Sequence, residues 1–169
     1  MSGVNAPKHG GNLYAAIREK GGCFTEILDF SANINPLGLS EQIRQTLYTS
    51  LESIIHYPDA QGHALKERIS HYYHVKEEQI TLGNGAVELM YVLCHTIKPQ
   101  RVLVTAPTFS EYESAARGSG AAIEYLYLNA ADDFTIDIQG IIKKLPAIDI
   151  VFICNPNNPD GYVWKLEEI

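Results

Sequence analysis

The sequence predicts a doubly wound α/β domain: a mostly parallel sheet with helices on both faces. Three observations carry that expectation. From residue 79 onward, short extended segments alternate with helical ones, the pattern of parallel strands joined by right-handed crossovers. Two of the extended segments, "RVLVTA" and "IDIVFIC", are nearly unbroken apolar runs, as strands covered on both faces require. Three loops rich in Gly, Pro and Asn, "GNGAVE", "APTFSEY" and "NPNNPDG", follow predicted strands. They would share the carboxyl edge of the sheet, where folds of this class bind ligands.

The elements follow in order. "NLYAAIREKGG" reads as a short helix, capped by Asn12 and stopped by Gly21. "ILDFS" is a short extended run, and "ANINPLG" is irregular. Ser40 caps a second helix, in which Ile43, Leu47, Leu51 and Ile54 recur at helical spacing. Pro58 and Gly62 in "HYPDAQG" end it. A third helix covers about 63–73. "QITL" is then a strand and "GNGAVELMYVLCHTI" a turn and helix. "RVLVTA" is a strand, "TFSEYESAARG" a helix, "AIEYLYL" a strand, "DIQGIIKKL" a helix and "IDIVFIC" the last strand.

Composition excludes several classes. The net charge is −7 and the basic residues form no stripe or tail, which argues against nucleic acid as a partner. No apolar run approaches the ~20 residues of a membrane span. "MSGVNAPKHGGNLY" holds no apolar signal core, so a cytoplasmic protein is expected. Cys23, Cys94 and Cys154 have no paired spacing and read as reduced thiols. The histidines show no metal-ligand spacing. At 169 residues the chain is long enough for one domain with a substantial core.

Each loop admits two readings. In "GNGAVE" the N–H groups of Gly85, Ala86 and Val87 would be exposed at a helix start, an anion site, or the loop is only a tight turn. The third Gly of a dinucleotide fingerprint is missing. Phe109 could stack on a planar ligand, or pack on the helix it opens. Asn155, Asn157 and Asn158 could donate amide hydrogen bonds, or simply form a turn. The Tyr57 phenol could reach a phosphate, or merely pack; His9 and Asn33 stand among Gly and Pro, where a lone His is more often a surface residue than a ligand.

Taken together, "YPD", "GNGAVE", "APTFSEY" and "NPNNPDG" resemble the fold-type I family of pyridoxal-phosphate enzymes, in its histidinol-phosphate aminotransferase-like branch. Within that branch, "HGGN" and "LDFSANINPLG" are similar to the threonine-phosphate decarboxylases of cobalamin biosynthesis. The later motifs are shared with many aminotransferases. One departure is visible: the family usually has Thr where Asp160 stands.

The resemblance implies roles. Gly85, Ala86 and Val87 would hold the phosphate of pyridoxal 5′-phosphate through their backbone. Phe109 would stack on the pyridine ring and Asn158 would donate to the ring hydroxyl oxygen. Tyr57 would reach the cofactor phosphate of a neighbouring subunit, implying a homodimer. His9 and Asn33 would contact the phosphate of a phosphorylated amino acid. Residues 1–40 would form an N-terminal arm and substrate-contacting segment, and 41–169 the first part of the large cofactor domain. Cis bonds are expected at Ala106–Pro107 and Asn158–Pro159. No lysine here stands in the Schiff-base context, nor do the motifs for the ring-nitrogen aspartate and the carboxylate-binding arginine occur, so the resemblance implies an N-terminal half of a longer enzyme. Two other readings remain open beside a decarboxylase and an aminotransferase: a non-catalytic α/β module binding a phosphorylated small molecule, and a nucleotide-binding domain.

Overall fold

The computed structural model describes residues 10–165. Contacts divide the chain into two compact units that meet at Gln61 and Gly62.

The first unit begins with α1, Leu13–Lys20. Asn12 enters it at φ −85° and ψ 67°, and its side chain accepts the Ala15 N–H; Gly21 ends it at φ 75°. A left-handed stop of this kind costs glycine nothing sterically. The second helix, α2, is Glu41–Thr49, and the Ser40 hydroxyl accepts the Ile43 N–H as expected of an N-cap. The apolar spacing of Ile43, Leu47, Leu51 and Ile54 predicts a longer helix. The chain tightens instead after Ser50 into a 3-10 segment, Leu51–Ile55. "ILDFS" is not a strand either: nothing among the described residues pairs with it in a ladder, and Asp29 accepts both the N–H and the hydroxyl of Ser31.

The second unit opens with α3, His63–Tyr73, which ends on His74 in the left-handed region. "QITL" stays extended at Ile80, with φ −109° and ψ 121°, but no strand among the described residues pairs with it, and a strand requires a ladder partner. Then come α4 (Gly85–Ile97), β1 (Arg101–Ala106), α5 (Glu111–Gly118), β2 (Ala122–Tyr127), α6 (Ile138–Lys144) and β3 (Ile150–Phe152). All three strands are parallel, in the order β2-β1-β3. No helix among the described residues is long and apolar enough to cross a membrane.

The period of two along β1 separates the core into two layers. Val102 and Val104 face Cys94 of α4 and Ala115 and Ala116 of α5. Leu103 faces the opposite side, with Ile136, Ile141 of α6 and Trp164. Both faces are therefore covered, as the apolar run predicts. At the amino edge, the Asp149 carboxylate accepts the N–H groups of Gln100 and Arg101 at 2.7 and 2.9 Å. The Arg101 bond, then the Gln100 bond, holds its pKa below the usual carboxylate value. On β2, Glu124 pairs with Lys144 at the end of α6 and with Arg101 at 3.7 Å.

Leu103 is fully buried at the middle of the central strand. Leu103→Ala should destabilise the full-length protein by about 2–5 kcal/mol, measured by urea unfolding. A loss below about 1 kcal/mol would mean that this layer does not close over β1.

Candidate cofactor-binding site

The strand order places the site. From β1 the chain moves to β2 on one side, then crosses to β3 on the other. Such a reversal opens a crevice between the carboxyl ends of β1 and β3, the binding position in open α/β sheets. The loops after β1 and β3 meet there. The Thr108 hydroxyl donates to Asn157 Oδ1 at 2.8 Å, and Asn157 Nδ2 donates to the Pro107 carbonyl at 3.2 Å. Asn157 is buried, only 4% exposed. Its backbone is used as well: its N–H donates to the Tyr162 carbonyl, and its carbonyl accepts the Gly161 N–H. The bonds at Ala106–Pro107 and Asn158–Pro159 are cis, as expected, and Asn155–Pro156 is cis in addition.

Helix α4 reaches the same edge. Its 13 residues span about 20 Å, close to the six residues of β1. Its Cys94 packs against Val102 and Val104 of the strand it feeds, and an antiparallel course over a matching length would bring its start toward the carboxyl edge. Three helices in the chain are entered through the same tight turn. At Asn12, Asn84 and Asp137, φ lies between −76° and −85° and ψ between 67° and 88°, near the inverse γ conformation. Asn12 and Asp137 then cap their helices with side-chain oxygens; Asn84 does not. The N–H groups of Ala86 and Val87 have no acceptor among the described residues. The expectation of three free donors needs one correction. The Gly85 N–H is spent on the Gly83 carbonyl at 2.9 Å, closing the turn. What Gly85 supplies is shape: its φ is +84°, and a Cβ built on it meets nothing within 4 Å, so it borders open space. Glu88 folds back to accept the Asn84 N–H, leaving the next two amides uncovered.

Phe109 is half-buried and lies edge-on to Tyr112, with ring centroids 5.8 Å apart. Tyr112 stacks on Phe152 at 4.9 Å. The packing reading of Phe109 is thus met on its α5 side. Burial, then the neighbouring Cys154 thiol, pushes the Tyr112 phenol well above its usual pKa. Asn158 is half-buried and makes no hydrogen bond among the described residues. Asp160, the departure from the family pattern, turns toward Asn157: Oδ2 accepts Asn157 Nδ2 at 2.7 Å, and Oδ1 accepts the Tyr162 N–H at 2.8 Å.

In the first unit, the two N-terminal motifs touch. A Cβ on Gly10 would lie 1.5 Å from the Ser31 carbonyl oxygen, a position no side chain can take. The Gly11 N–H donates to the Ser31 hydroxyl at 2.7 Å. Asn33, beside this contact, is exposed. Tyr57 is fully exposed, and its phenol meets nothing among the described residues. His9 lies outside the described residues. Sequence reasoning missed three contributors: Asn157 as the link between loops, Tyr112 beneath Phe109, and Asp29 as the anchor of Ser31. A turn motif with three asparagines does not say which one is buried.

The profile described as "Aminotransferase class I and II" matches residues 25–169. The chain belongs to this family. It is 35% identical over 153 residues to a threonine-phosphate decarboxylase of Salmonella typhimurium, covering 90% of this chain and 42% of that one. It is 37% identical over 145 residues to a histidinol-phosphate aminotransferase of Desulfitobacterium hafniense, covering 82% and 40%. The crystal structure of the histidinol-phosphate aminotransferase from Clostridium acetobutylicum superposes with a TM-score of 0.74 at 34% identity, covering 84% of this chain and 41% of that one. The chain thus spans about two fifths or less of the length of the curated relatives it matches. The family's cofactor is pyridoxal 5′-phosphate, and the fold is that of the fold-type I enzymes. The residues fit it. Two uncapped amides at a helix start suit its phosphate, the open space beside Gly85 admits close approach, and Asn158 has unused donors.

Two outcomes follow. Gly85→Ala forces a side chain to φ +84°, which costs about 1–2 kcal/mol, and places a methyl in the open space. Cofactor affinity of the full-length protein, measured by titrating the apoprotein, should fall at least several-fold; unchanged affinity would remove the phosphate from this helix start. Separately, the hydroxyl of Ser31, then its N–H, holds Asp29 below its ordinary pKa. A depressed carboxylate contributes stability that is present above the unfolded value and lost as pH falls through the folded one. Amide exchange at Gly11 and Ser31, corrected for its intrinsic pH dependence, should be flat above about pH 5 and rise below about pH 4. In Asp29→Asn this acid step should vanish.

Proposed function

We propose that the full-length protein decarboxylates L-threonine O-3-phosphate to (R)-1-amino-2-propanol O-2-phosphate in cobalamin biosynthesis, as a cytoplasmic homodimer. The observation that carries this reading is the contact of Gly10 and Gly11 with Ser31. It joins "HGGN" to "SANINPLG", the two stretches whose resemblance is specific to the decarboxylases. The greater reach of the Salmonella match along this chain, 90% against 82% for the aminotransferase, points the same way.

In this reading residues 41–169 begin the cofactor domain and residues 1–40 serve the substrate. The Ala86 and Val87 amides bind the cofactor phosphate, with Gly85 giving room for it. Phe109 lies against the pyridine ring and Asn158 donates to its hydroxyl oxygen. Tyr57 of each subunit reaches the cofactor phosphate held by the other. His9 and Asn33 bind the substrate phosphate. Pyridoxal 5′-phosphate supplies the electron sink for the pair left when a bond to Cα breaks. In the reaction the bond from Cα to the carboxylate breaks, carbon dioxide leaves, and Cα gains a proton. The chain's part is orientation. The substrate phosphate is a dianion in a chain of net charge −7, so local donors have to hold it, and a protonated His9 gives a charge-assisted bond.

A histidinol-phosphate aminotransferase is the second reading, favoured by the comparable identity of the Desulfitobacterium relative. It uses the same cradle and differs in the bond broken. The two separate in one assay of the full-length protein. Carbon dioxide release from threonine phosphate without an oxo-acid supports the decarboxylase; transfer of the amino group of histidinol phosphate to 2-oxoglutarate, with no carbon dioxide, replaces it. His9→Ala should lower kcat/KM for threonine phosphate about ten- to a hundredfold, the cost of a hydrogen bond to a charged group, and leave unphosphorylated threonine nearly unchanged. Equal effects on both substrates would take His9 out of the phosphate site.

A further inference from the structure

We infer that Asp160 is a positioning residue for the crevice: it locks the Asn157 amide, and through it the backbone that carries Phe109 and Asn158. The inference rests on the cofactor reading above and adds to it a residue that reading does not use.

The argument starts from a buried amide. A primary amide has two N–H donors and one oxygen, and buried polar groups need their partners. Both donors of Asn157 are taken by groups that can only accept, the Pro107 carbonyl and the Asp160 carboxylate. The amide therefore has one allowed orientation. Flipped, its oxygen would face two other oxygens. With the oxygen fixed, the Thr108 hydroxyl must be the donor to it. The hydrogen bonds run in one direction, from Thr108 through Asn157 to Asp160, and end on a negative charge.

Asp160 is itself held at both oxygens. Oδ2 takes the Asn157 amide, and Oδ1 takes the Tyr162 N–H two residues on. The Tyr162 carbonyl in turn accepts the Asn157 N–H at 2.7 Å. The turn 157–162 is thus closed on itself and tied to the β1 loop at 107–108. The consequence is set by sequence neighbours. Thr108 precedes Phe109 and Asn157 precedes Asn158, so one clamp fixes the backbone of both side chains assigned to the cofactor ring. Asp160 is exposed, and its hydrogen bonds go to Asn157 and Tyr162, which makes its action on the two side chains indirect.

The test uses four variants of the full-length protein: Asp160→Ala, Asp160→Asn, Thr108→Val and the double Asp160→Ala/Thr108→Val. Two quantities are read, the Kd of the folded apoprotein for pyridoxal 5′-phosphate and the midpoint of urea unfolding. Loss of a charged acceptor from a buried amide should raise Kd about tenfold in Asp160→Ala. Asparagine has one acceptor oxygen where aspartate has two, so Asp160→Asn should keep one of the two bonds and recover part of the loss. Thr108 and Asp160 act on the same amide, so the double variant should be little worse than the worse single one, a coupling expected only of linked residues. A merely structural Asp160 would lower the urea midpoint and leave Kd within about twofold in the folded protein; that result, or additive losses in Kd, overturns the inference while the function reading stands. If the wild-type protein binds no pyridoxal 5′-phosphate, the function reading falls and with it the role toward the cofactor. The clamp is then retained or rejected on whether the shifts in urea midpoint are coupled or additive.

Discussion

Parallel strands cannot be joined by a hairpin, so every connection in this sheet has to cross a face and return to the opposite edge. That constraint puts all the following loops on one side. Between β2 and β3 the strand order then switches from one side of β1 to the other, which sets the loops after β1 and β3 side by side at the edge where folds of this class bind ligands. The candidate site depends on this. Phe109 leaves β1, Asn158 follows β3, and α4 reaches the same edge because its length matches that of β1. Phe109 and Asn158 stand about fifty residues apart in sequence, and the hydrogen bonds of Asn157 to Pro107 and Thr108 tie together the loops that carry them.

The candidate site shows a division between satisfied and unsatisfied polar groups. Asn157 has every donor and acceptor occupied, while Asn158 beside it has none occupied by the described chain. The Ala86 and Val87 amides are in the same state as Asn158. Uncapped amides at a helix start forgo roughly 0.5–2 kcal/mol that a capping side chain would supply. The same chain caps α1 and α6 through an identical turn, so the absence of a cap at α4 is local. A ligand that takes these donors returns the lost stabilisation and shifts folding toward the bound state by mass action.

The sequence makes the second unit legible because its signals are local. "RVLVTA" spells β1 to the residue, since a strand covered on both faces must be apolar throughout. Asn12 and Ser40 announce their helices because a cap acts within three residues. Long-range facts were not legible. "QITL" has the composition of a strand, but its state depends on a neighbour that no local pattern supplies. Leu51 and Ile54 keep helical spacing beyond the end of α2, because spacing records a face to be buried and not the hydrogen bonds that stop a helix. In the site, Gly85 could be named from the motif. That its N–H closes a turn could not, since the choice between Gly83 and a ligand is one of geometry. Asn157 and Asn158 share composition and context, and only burial tells them apart.

The first unit poses the remaining question about assembly. None of the residues of α1 or α2 is buried, and Leu28, Phe30 and Leu37 are at least 80% exposed. Apolar burial is the main term opposing chain entropy, and this unit gains little of it from its own residues. Its order comes instead from short polar links such as Asp29 to Ser31 to Gly11, each weak because water competes for it at an exposed position. A segment built in this way is sensitive to its surroundings: covering a few of its apolar side chains would outweigh all of those links, at ~1.5–3 kcal/mol for each one fully buried. In the proposed function, the placement of Asn33 and Tyr57 would therefore depend on burial of these apolar side chains more than on the short polar links.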